Sequence, residues 1–182
     1  IKAIFPDVMK DVSERELYEA MNLVQADYIR TEADELTYTL HIIIRYEIEE
    51  ELVAGRIKAA DVPHLWTEKY RQYLGITPPN DRMGVLQDMH WTFGMGYFPT
   101  YALGNMYNAM YYNRLADDMD IEAAASTPEG MINIRDWMTE HVFKKADRLS
   151  PGDWIRDITG REFTSKDFLD HLEEKYGELY GL

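Results

Sequence analysis

The chain has 182 residues, of which 46% are hydrophobic and 29% are charged; this balance is typical of a globular domain with a buried core and excludes a disordered chain. Its 33 acidic and 19 basic residues give a net charge of −14, so we expect no nucleic acid and no membrane among its partners. The absence of cysteine excludes disulfides and thiol nucleophiles and fits a reducing compartment, so we expect a cytoplasmic location.

Helix signals begin near the start of the sequence. Residues 13–16 (S-E-R-E) have the pattern of a capping box, and apolar residues follow at helical spacing as far as Tyr28. A second helix is predicted over residues 31–54, with Gly55 as its stop signal. Its apolar stripe consists of Leu36, Leu40, Ile43 and Ile44. We interpret the acidic residues at 47–51 as the solvated end of this helix.

The middle of the sequence combines a third helix with a long loop. The helix is predicted over residues 61–73, with Pro63 in its first turn and Gly75 after it. One long irregular loop is expected around residues 76–98, which contain several prolines and glycines. A loop of this length inside a compact domain is usually functional or disordered, and its aromatic residues favour a packed, functional loop.

The remainder is predicted to be helical. Helices are expected from Pro99 to about Met119, from Thr127 to about Ala146, from Ser150 over a short stretch, and from Thr164 through an apolar face at Phe168, Leu172, Tyr176 and Leu179. We expect neither a transmembrane span, which needs about 18 apolar residues, nor a signal peptide. The sequence therefore predicts an all-α fold of about six to seven helices in a single helical domain over residues 1–182.

The densest polar patch covers residues 30–38. A carboxylate one turn beyond Arg30 can pair with it, and Thr37, His41 and Arg45 share one helix face at i, i+4 spacing. One interpretation is a solvated helix start with ordinary ion pairs. The other is a fixed guanidinium offered to a carboxylate, which arginine binds as a planar fork.

A second polar patch covers residues 84–91 and is followed by a tyrosine-containing stretch at 96–101. His90 lies near Gln87 and Asp88 in the sequence, so it is a candidate hydrogen-bond donor or general acid/base. The alternative is a core-packing loop in which the aspartate orients a buried histidine. The two tyrosines can donate phenolic protons to a ligand or to backbone carbonyls.

Standard metal and nucleophile motifs are absent from the sequence. None of the five histidines forms an i, i+4 pair, so there is no H-E-x-x-H helix, and no Glu-x-x-His pair occurs. A serine nucleophile elbow, a P-loop and a dinucleotide fingerprint are absent as well. We therefore assign no metal ligands to this chain.

The two polar patches carry a resemblance to a known family. Residues 29–38 (I-R-T-E-A-D-E-L-T-Y) resemble the I-R-x-x-A-D-E-x-T-Y signature of the M32 (carboxypeptidase Taq) metallocarboxypeptidases. Residues 84–91 (G-V-L-Q-D-M-H-W) resemble the G-x-x-Q-D-x-H-W motif of that family, and residues 96–105 resemble the segment after it. The resemblance covers nearly the whole chain, which is similar to the C-terminal portion of these enzymes.

The resemblance implies an all-helical fold with a deep groove for the C-terminus of a peptide. Members of the family remove one residue at a time with a divalent metal, usually zinc, on an H-E-x-x-H helix and a further glutamate. Both elements precede the I-R-x-x-A-D-E motif, and this chain lacks them. We therefore expect zinc or another divalent metal in the full-length enzyme, no metal bound to this chain alone, and no hydrolysis by this chain alone.

The resemblance also implies roles for individual residues. Arg30 is the candidate clamp for the terminal carboxylate of the substrate, and His90 is the candidate catalytic residue near the scissile bond. The predicted substrate-binding residues are Arg30, Gln87, Asp88, Trp91, Tyr97 and Tyr101, with Tyr97 or Tyr101 as a hydrogen-bond donor to the substrate or oxyanion.

The expected partners follow from the same resemblance. They are peptide C-termini, the missing N-terminal half of the enzyme, and a second copy in a homo-oligomer, as the family forms homodimers. Two alternatives stay open. In the first, the chain is a free-standing, non-catalytic helical module that binds peptide C-termini or pairs with a separate subunit. In the second, it is a plain structural helical bundle.

Overall fold

A computed structural model describes residues 1–92, 94–145 and 148–182, and these residues form helices and loops without a strand. The helices are α1 (Pro6–Met9), α2 (Glu14–Met21), α3 (Glu35–Val53), α4 (Val62–Leu74), α5 (Pro99–Asp118), α6 (Ile121–Ala125), α7 (Pro128–Met138), α8 (Pro151–Thr159) and α9 (Lys166–Tyr180). The all-α prediction is confirmed. The described ranges contain more helices than predicted because the short α1 and α6 have no long apolar periodicity.

The chain divides into two compact units, Ile1–Thr100 and Tyr101–Leu182. The prediction of one domain over residues 1–182 stays a prediction. The core of the first unit lies between α3 and α4, which pack against each other through residues that are almost completely buried. Its central members are Ile44, Ile48, Val62, Trp66, Tyr70, Leu74 and Val85.

The capping box at the start of α2 is present as predicted. The Ser13 hydroxyl accepts a hydrogen bond from the Glu16 N–H at 3.1 Å, and the Glu16 carboxylate accepts one from the Ser13 N–H at 2.7 Å. The prediction that the helical spacing continues to Tyr28 is wrong, since α2 ends at Met21. Neither α1 nor α2 contains a buried residue, so tertiary packing within the described residues does not extend them.

Helix α3 begins later than predicted because Asp34 caps it. The Asp34 carboxylate accepts hydrogen bonds from the N–H and the hydroxyl of Thr37, both at 2.9 Å, which satisfies a free donor of the first turn. The residues before it form a separate 3-10 turn, Arg30–Glu32. This turn, and not the helix itself, carries Arg30 at the helix entrance.

The remaining elements of the first unit follow the sequence signals. Helix α4 has Pro63 in its first turn and ends at Gly75, whose φ of 71° is the left-handed conformation that glycine adopts without strain. The predicted irregular loop is present and contains two short 3-10 turns, Val85–Gln87 and Met89–Thr92. The loop therefore folds back as a series of turns and not as a regular element.

The second unit begins within α5 and has its own core. Its buried members are Leu115, Trp137, Val142 and Ile158. Helix α7 is continued by one π-helical turn, Thr139–Phe143. The predicted end of this helix at about Ala146 lies outside the described residues. Along the described ranges, no helix is both long enough and apolar enough to span a membrane.

Candidate functional site

The Asp88 carboxylate is the centre of a buried polar cluster in the first unit. Its Oδ1 accepts a hydrogen bond from Arg30 Nη2 at 2.9 Å and lies 3.0 Å from Nδ1 of His90. Its Oδ2 accepts from Nε of Arg45 at 2.5 Å and from Nε of Arg30 at 3.2 Å. The cluster therefore joins the 3-10 turn before α3, the middle of α3 and the loop after α4.

The cluster concentrates positive charge in a buried place. The side chains of Arg30, Asp88 and Arg45 are only 11%, 5% and 0% exposed. Burial alone would raise the pKa of Asp88, but the two guanidinium groups outweigh this effect and lower the pKa to about 2. Burial alone would lower the pKa of Arg30. Its hydrogen bonds and charge interaction with Asp88 outweigh burial, so the pKa of Arg30 is raised. Among Arg30, Arg45 and Asp88 alone, two cations face one carboxylate, which leaves one positive charge in excess within this group of three.

Gln87 ties the two arginines together through its side-chain amide. Its Oε1 accepts hydrogen bonds from the Arg30 backbone N–H and from Nη2 of Arg45, both at 3.0 Å. Its Nε2 donates to the carbonyls of Tyr28 at 2.7 Å and Met83 at 3.1 Å. The amide is thus held from several sides, so it fixes the position of the Arg30 turn against the loop.

Arg30 lies beside the His90 loop and does not point into bulk solvent. Its Nε and Nη2 both face Asp88, an arrangement that fixes the plane of the guanidinium. Its Nη1 donates to the Tyr38 hydroxyl at 3.2 Å. The carboxylate one turn further along, Asp34, serves as the cap of α3, and Asp88 from a distant part of the sequence provides the ion pair.

His90 is held between Asp88 and two aromatic rings. Its own ring is stacked on Tyr97, with centroids 5.6 Å apart and planes at 19°, and lies 5.1 Å from the Phe98 ring. His90 is only 9% exposed, whereas Tyr97 is 48% exposed. Tyr97 therefore lies on the solvent side of the histidine.

The other two predicted site residues have different surroundings. Trp91 is half-buried and packs on Trp66 and Phe98, with centroids 6.2 Å and 5.1 Å away, which is a packing position within the core. Tyr101 is half-buried in the second unit. The structure thus gathers Arg30, Gln87, Asp88, His90 and Tyr97 into one cluster. Their functional roles stay predictions.

Of the two interpretations of residues 30–38, the solvated helix start does not hold for Arg30 and Thr37, which are buried. Thr37, His41 and Arg45 are buried, and the same face continues to Glu49, which is only 3% exposed. Glu49 Oε1 accepts a hydrogen bond from the Gly96 N–H at 2.5 Å, and burial raises the pKa of Glu49. The expectation that the acidic residues at 47–51 form a solvated helix end therefore fails at this position.

Arg45 and Glu49 were not among the predicted site residues: Arg45 was noted only on the polar face of its helix, and Glu49 only within the acidic run at 47–51. The sequence does contain a signal for them. Thr37, His41, Arg45 and Glu49 recur at i, i+4 spacing and therefore share one face of α3. Such a stripe next to the isoleucines of the helix is compatible with buried polar side chains. It does not identify their partners, which lie about forty or more residues away in the loop.

No group of at least three histidine, cysteine, aspartate or glutamate residues suited to hold a metal ion occurs in the described ranges. The cluster itself fits this finding, because the Asp88 carboxylate is surrounded by two arginine side chains. Positive groups this close oppose a cation. The residues described here therefore do not fit the metal that the family resemblance implies, and the cluster is suited to a negatively charged group.

Comparisons with known proteins agree with the two motifs. The family model described as carboxypeptidase Taq (M32) metallopeptidase matches residues 1–176. Carboxypeptidase 1 of Bacillus subtilis is 44% identical over 182 residues, which cover 99% of this chain and 36% of that protein. Thermostable carboxypeptidase 1 of Thermus thermophilus is 38% identical over 94% of this chain and 34% of its own length.

Solved structures show the same relationship. The crystal structure of an M32 carboxypeptidase from Deinococcus radiodurans has a TM-score of 0.92 and 39% identity, and the match covers 100% of this chain and 37% of that chain. The chain thus spans about a third of the length of the curated relatives that it matches. It belongs to the M32 (carboxypeptidase Taq) metallopeptidase family.

Proposed function

We propose that this chain provides the substrate-carboxylate clamp and one wall of the groove in a metallocarboxypeptidase that removes single C-terminal residues from peptides. The observation that carries the proposal is the Asp88 cluster, in which Arg30 is fixed beside His90 and one positive charge is in excess. An enzyme of this kind must recognise a free terminal carboxylate, and a planar, fixed guanidinium is the group that does so most specifically. The zinc or other divalent metal would be held by residues outside this chain.

Arg30 is a better clamp than the other arginine of the cluster. The Arg45 side chain is 0% exposed and lies inside the core, so a peptide cannot reach it, whereas the Arg30 side chain is 11% exposed. Asp88 holds two nitrogens of Arg30 and thereby sets the orientation in which the guanidinium meets a ligand. A pre-oriented cation loses little side-chain entropy when the carboxylate binds.

The neighbours of Arg30 would complete the subsite. We propose that His90, oriented by Asp88, acts next to the scissile bond, and that the exposed Tyr97 donates a hydrogen bond to the substrate. Gln87 would act by holding Arg30 and not by touching the peptide, since both ends of its amide are bonded to protein groups. For Trp91 and Tyr101, only the family resemblance supports a place in the proposed groove wall.

The proposal is tested in a chimera in which this chain replaces the matching part of Carboxypeptidase 1 of Bacillus subtilis. We expect the chimera to hydrolyse peptides with a free C-terminus and the chain alone to release no residue. In the chimera, Arg30→Ala should lower kcat/KM for free-carboxylate peptides by about a hundredfold, because a charge-assisted, oriented pair is lost. Hydrolysis of peptides with an amidated C-terminus, slow in both proteins, should not change.

A matched control is Arg56→Ala, which removes a surface arginine that is 50% exposed and pairs with Glu51. This variant should have the kinetics of the unmodified chimera, since exposed ion pairs contribute little. If Arg30→Ala still distinguishes free from amidated peptides as well as the unmodified chimera does, Arg30 is not the clamp. An inactive chimera that binds a dipeptide in calorimetric titration would favour the non-catalytic peptide-binding module.

A further inference from the structure

Arg45 is the most enclosed charged residue of the cluster, and every nitrogen of its guanidinium has a defined partner. Nε donates to Asp88 Oδ2 at 2.5 Å, Nη1 to the His41 carbonyl at 2.8 Å, and Nη2 to Gln87 Oε1 at 3.0 Å. The guanidinium carbon lies 4.5 Å from the centroid of the Trp66 ring. Arg45 is therefore held by hydrogen bonds in its plane and by an aromatic face above it.

The charge of Arg45 changes what the pair of Arg30 and Asp88 can do. A guanidinium bonded through two nitrogens to a carboxylate forms a pair with no net charge, which attracts an anionic ligand only weakly. Arg45 donates to the same carboxylate and offsets its negative charge. With Arg45 present, Asp88 can orient Arg30 without cancelling its positive charge.

Arg45 also acts on the two residues that position Arg30. It binds the Asp88 carboxylate, which holds the Arg30 side chain, and the Gln87 amide oxygen, which holds the Arg30 backbone N–H. Asp88 in turn contacts Nδ1 of His90. Arg45, a buried side chain on α3, is thus connected to Arg30 through Asp88 and Gln87. It is connected to His90 through Asp88.

We propose that Arg45 is a positioning residue that gives the Arg30 site its net positive charge and so determines the preference for peptides with a free C-terminal carboxylate. The proposal rests on the proposed function of Arg30 as the clamp. It assigns to Arg45 no contact with the substrate, because the side chain is completely buried. Its effect reaches the ligand through Asp88 and Gln87.

The proposal is tested with Arg45→Met in the chimera, compared with the double variant Arg45→Met, Asp88→Asn. The single variant leaves a neutral pair at the site, so we expect the KM for free-carboxylate peptides to rise about tenfold or more, with a smaller change in kcat. The double variant again has one positive charge in excess, so we expect it to recover most of the preference for free over amidated peptides. A purely structural role of Arg45 predicts the opposite order, since the double variant loses more hydrogen bonds.

Arg45→Gln is neutral, can still donate a hydrogen bond to Asp88, and replaces the methionine variant if that protein does not fold. Arg45→Lys keeps the charge and should retain the preference better than either neutral variant. An unchanged KM and preference in both neutral variants, or no recovery in the double variant, would overturn the proposal. A failure of the proposed function looks different, because the unmodified chimera would then show no activity or Arg30→Ala would have no effect.

Discussion

His41 shows at the scale of one residue how the buried face of α3 constrains ionisation. The side chain is completely buried, and its Nδ1 lies 3.0 Å from the Tyr70 hydroxyl. Burial, and next the nearby positive charge of Arg45, lower the pKa of His41 from 6.5 to about 4. The folded chain therefore keeps a neutral imidazole at pH values at which the unfolded chain already binds a proton.

This difference predicts a loss of stability in mild acid. The contribution of a neutral His41 is fully present above pH 6.5 and is lost as the pH falls toward about 4, because the unfolded state binds more protons in this window. We expect the loss to amount to about 3 kcal/mol of the free energy of unfolding. Urea unfolding across this pH range measures it, and His41→Gln should make the curve flatter.

The control for this experiment is His64→Gln, since the His64 side chain is 80% exposed on α4. We expect this variant to have the pH dependence of the unmodified chain. A His41→Gln protein whose free energy of unfolding falls as steeply between pH 6.5 and 4 as that of the unmodified chain would show that another group causes the effect.

The sequence singled out residues that the structure brings together, but it did not predict their contacts. Arg30, Gln87, Asp88 and His90 stand in two recognisable motifs, which is why they could be selected. Periodicity reports neighbours within one helix, whereas the ion pair between Arg30 and Asp88 spans 58 residues of sequence. Local pairing rules therefore favoured a solvated helix start, and only the tertiary structure shows that this polar face is buried.

At the scale of elements, the approach of α6 to α7 depends on Gly130. A Cβ added to this glycine would meet the Ala124 carbonyl oxygen and lie 2.5 Å from the Ala124 Cα, both of which belong to backbone that cannot move aside freely. We expect Gly130→Ala to lower the free energy of unfolding by about 1–3 kcal/mol, because the two helices must separate. Chemical denaturation of the purified chain measures this change.

Gly152 provides a matched comparison. It also lies in the first turn of a helix that begins with a proline, and a Cβ there meets nothing within 4 Å. Gly152→Ala should raise the stability by about 0.5–1 kcal/mol, since alanine loses less backbone entropy in a helix. Equal effects of the two substitutions would show that helix propensity, and not the close contact with Ala124, determines the result at Gly130.

Helix ends were predictable where the signal is local. The capping box at Ser13, the proline in the first turn of α4 and the glycine after it all occur where the sequence indicated. Prediction failed where an end depends on tertiary packing or on a competing cap. Helix α2 contains no buried residue and ends at Met21, before the predicted Tyr28. Asp34 starts α3 beyond Arg30 because its carboxylate binds the first-turn N–H of Thr37.

At the scale of the molecule, the segments around α1 and α2 carry a group of exposed apolar side chains within the first 23 residues. Large hydrophobic side chains exposed by 58–77% occur here, namely Ile1, Ile4, Phe5, Val8, Met21 and Leu23. A concentration of exposed apolar residues often marks a contact with another part of a protein. Carboxypeptidase 1 of Bacillus subtilis is nearly three times as long as the segment that this chain matches. We expect the part of such a protein outside the matched segment to cover the exposed apolar residues around α1 and α2.

The double variant Val8→Glu, Met21→Glu tests this expectation. Val8 is 77% and Met21 is 72% exposed, so the variant should not lower the free energy of unfolding of the chain alone. In the chimera the same changes should lower its stability and activity, because two charges would be buried against the remaining part of the protein. Val53→Glu, at an equally exposed position on α3, is the control and should have no effect on either protein. Unchanged stability and activity of the chimera would mean that this surface does not contact the remaining part of the protein. A lower free energy of unfolding of the chain alone would mean that these residues already belong to the core of the first unit.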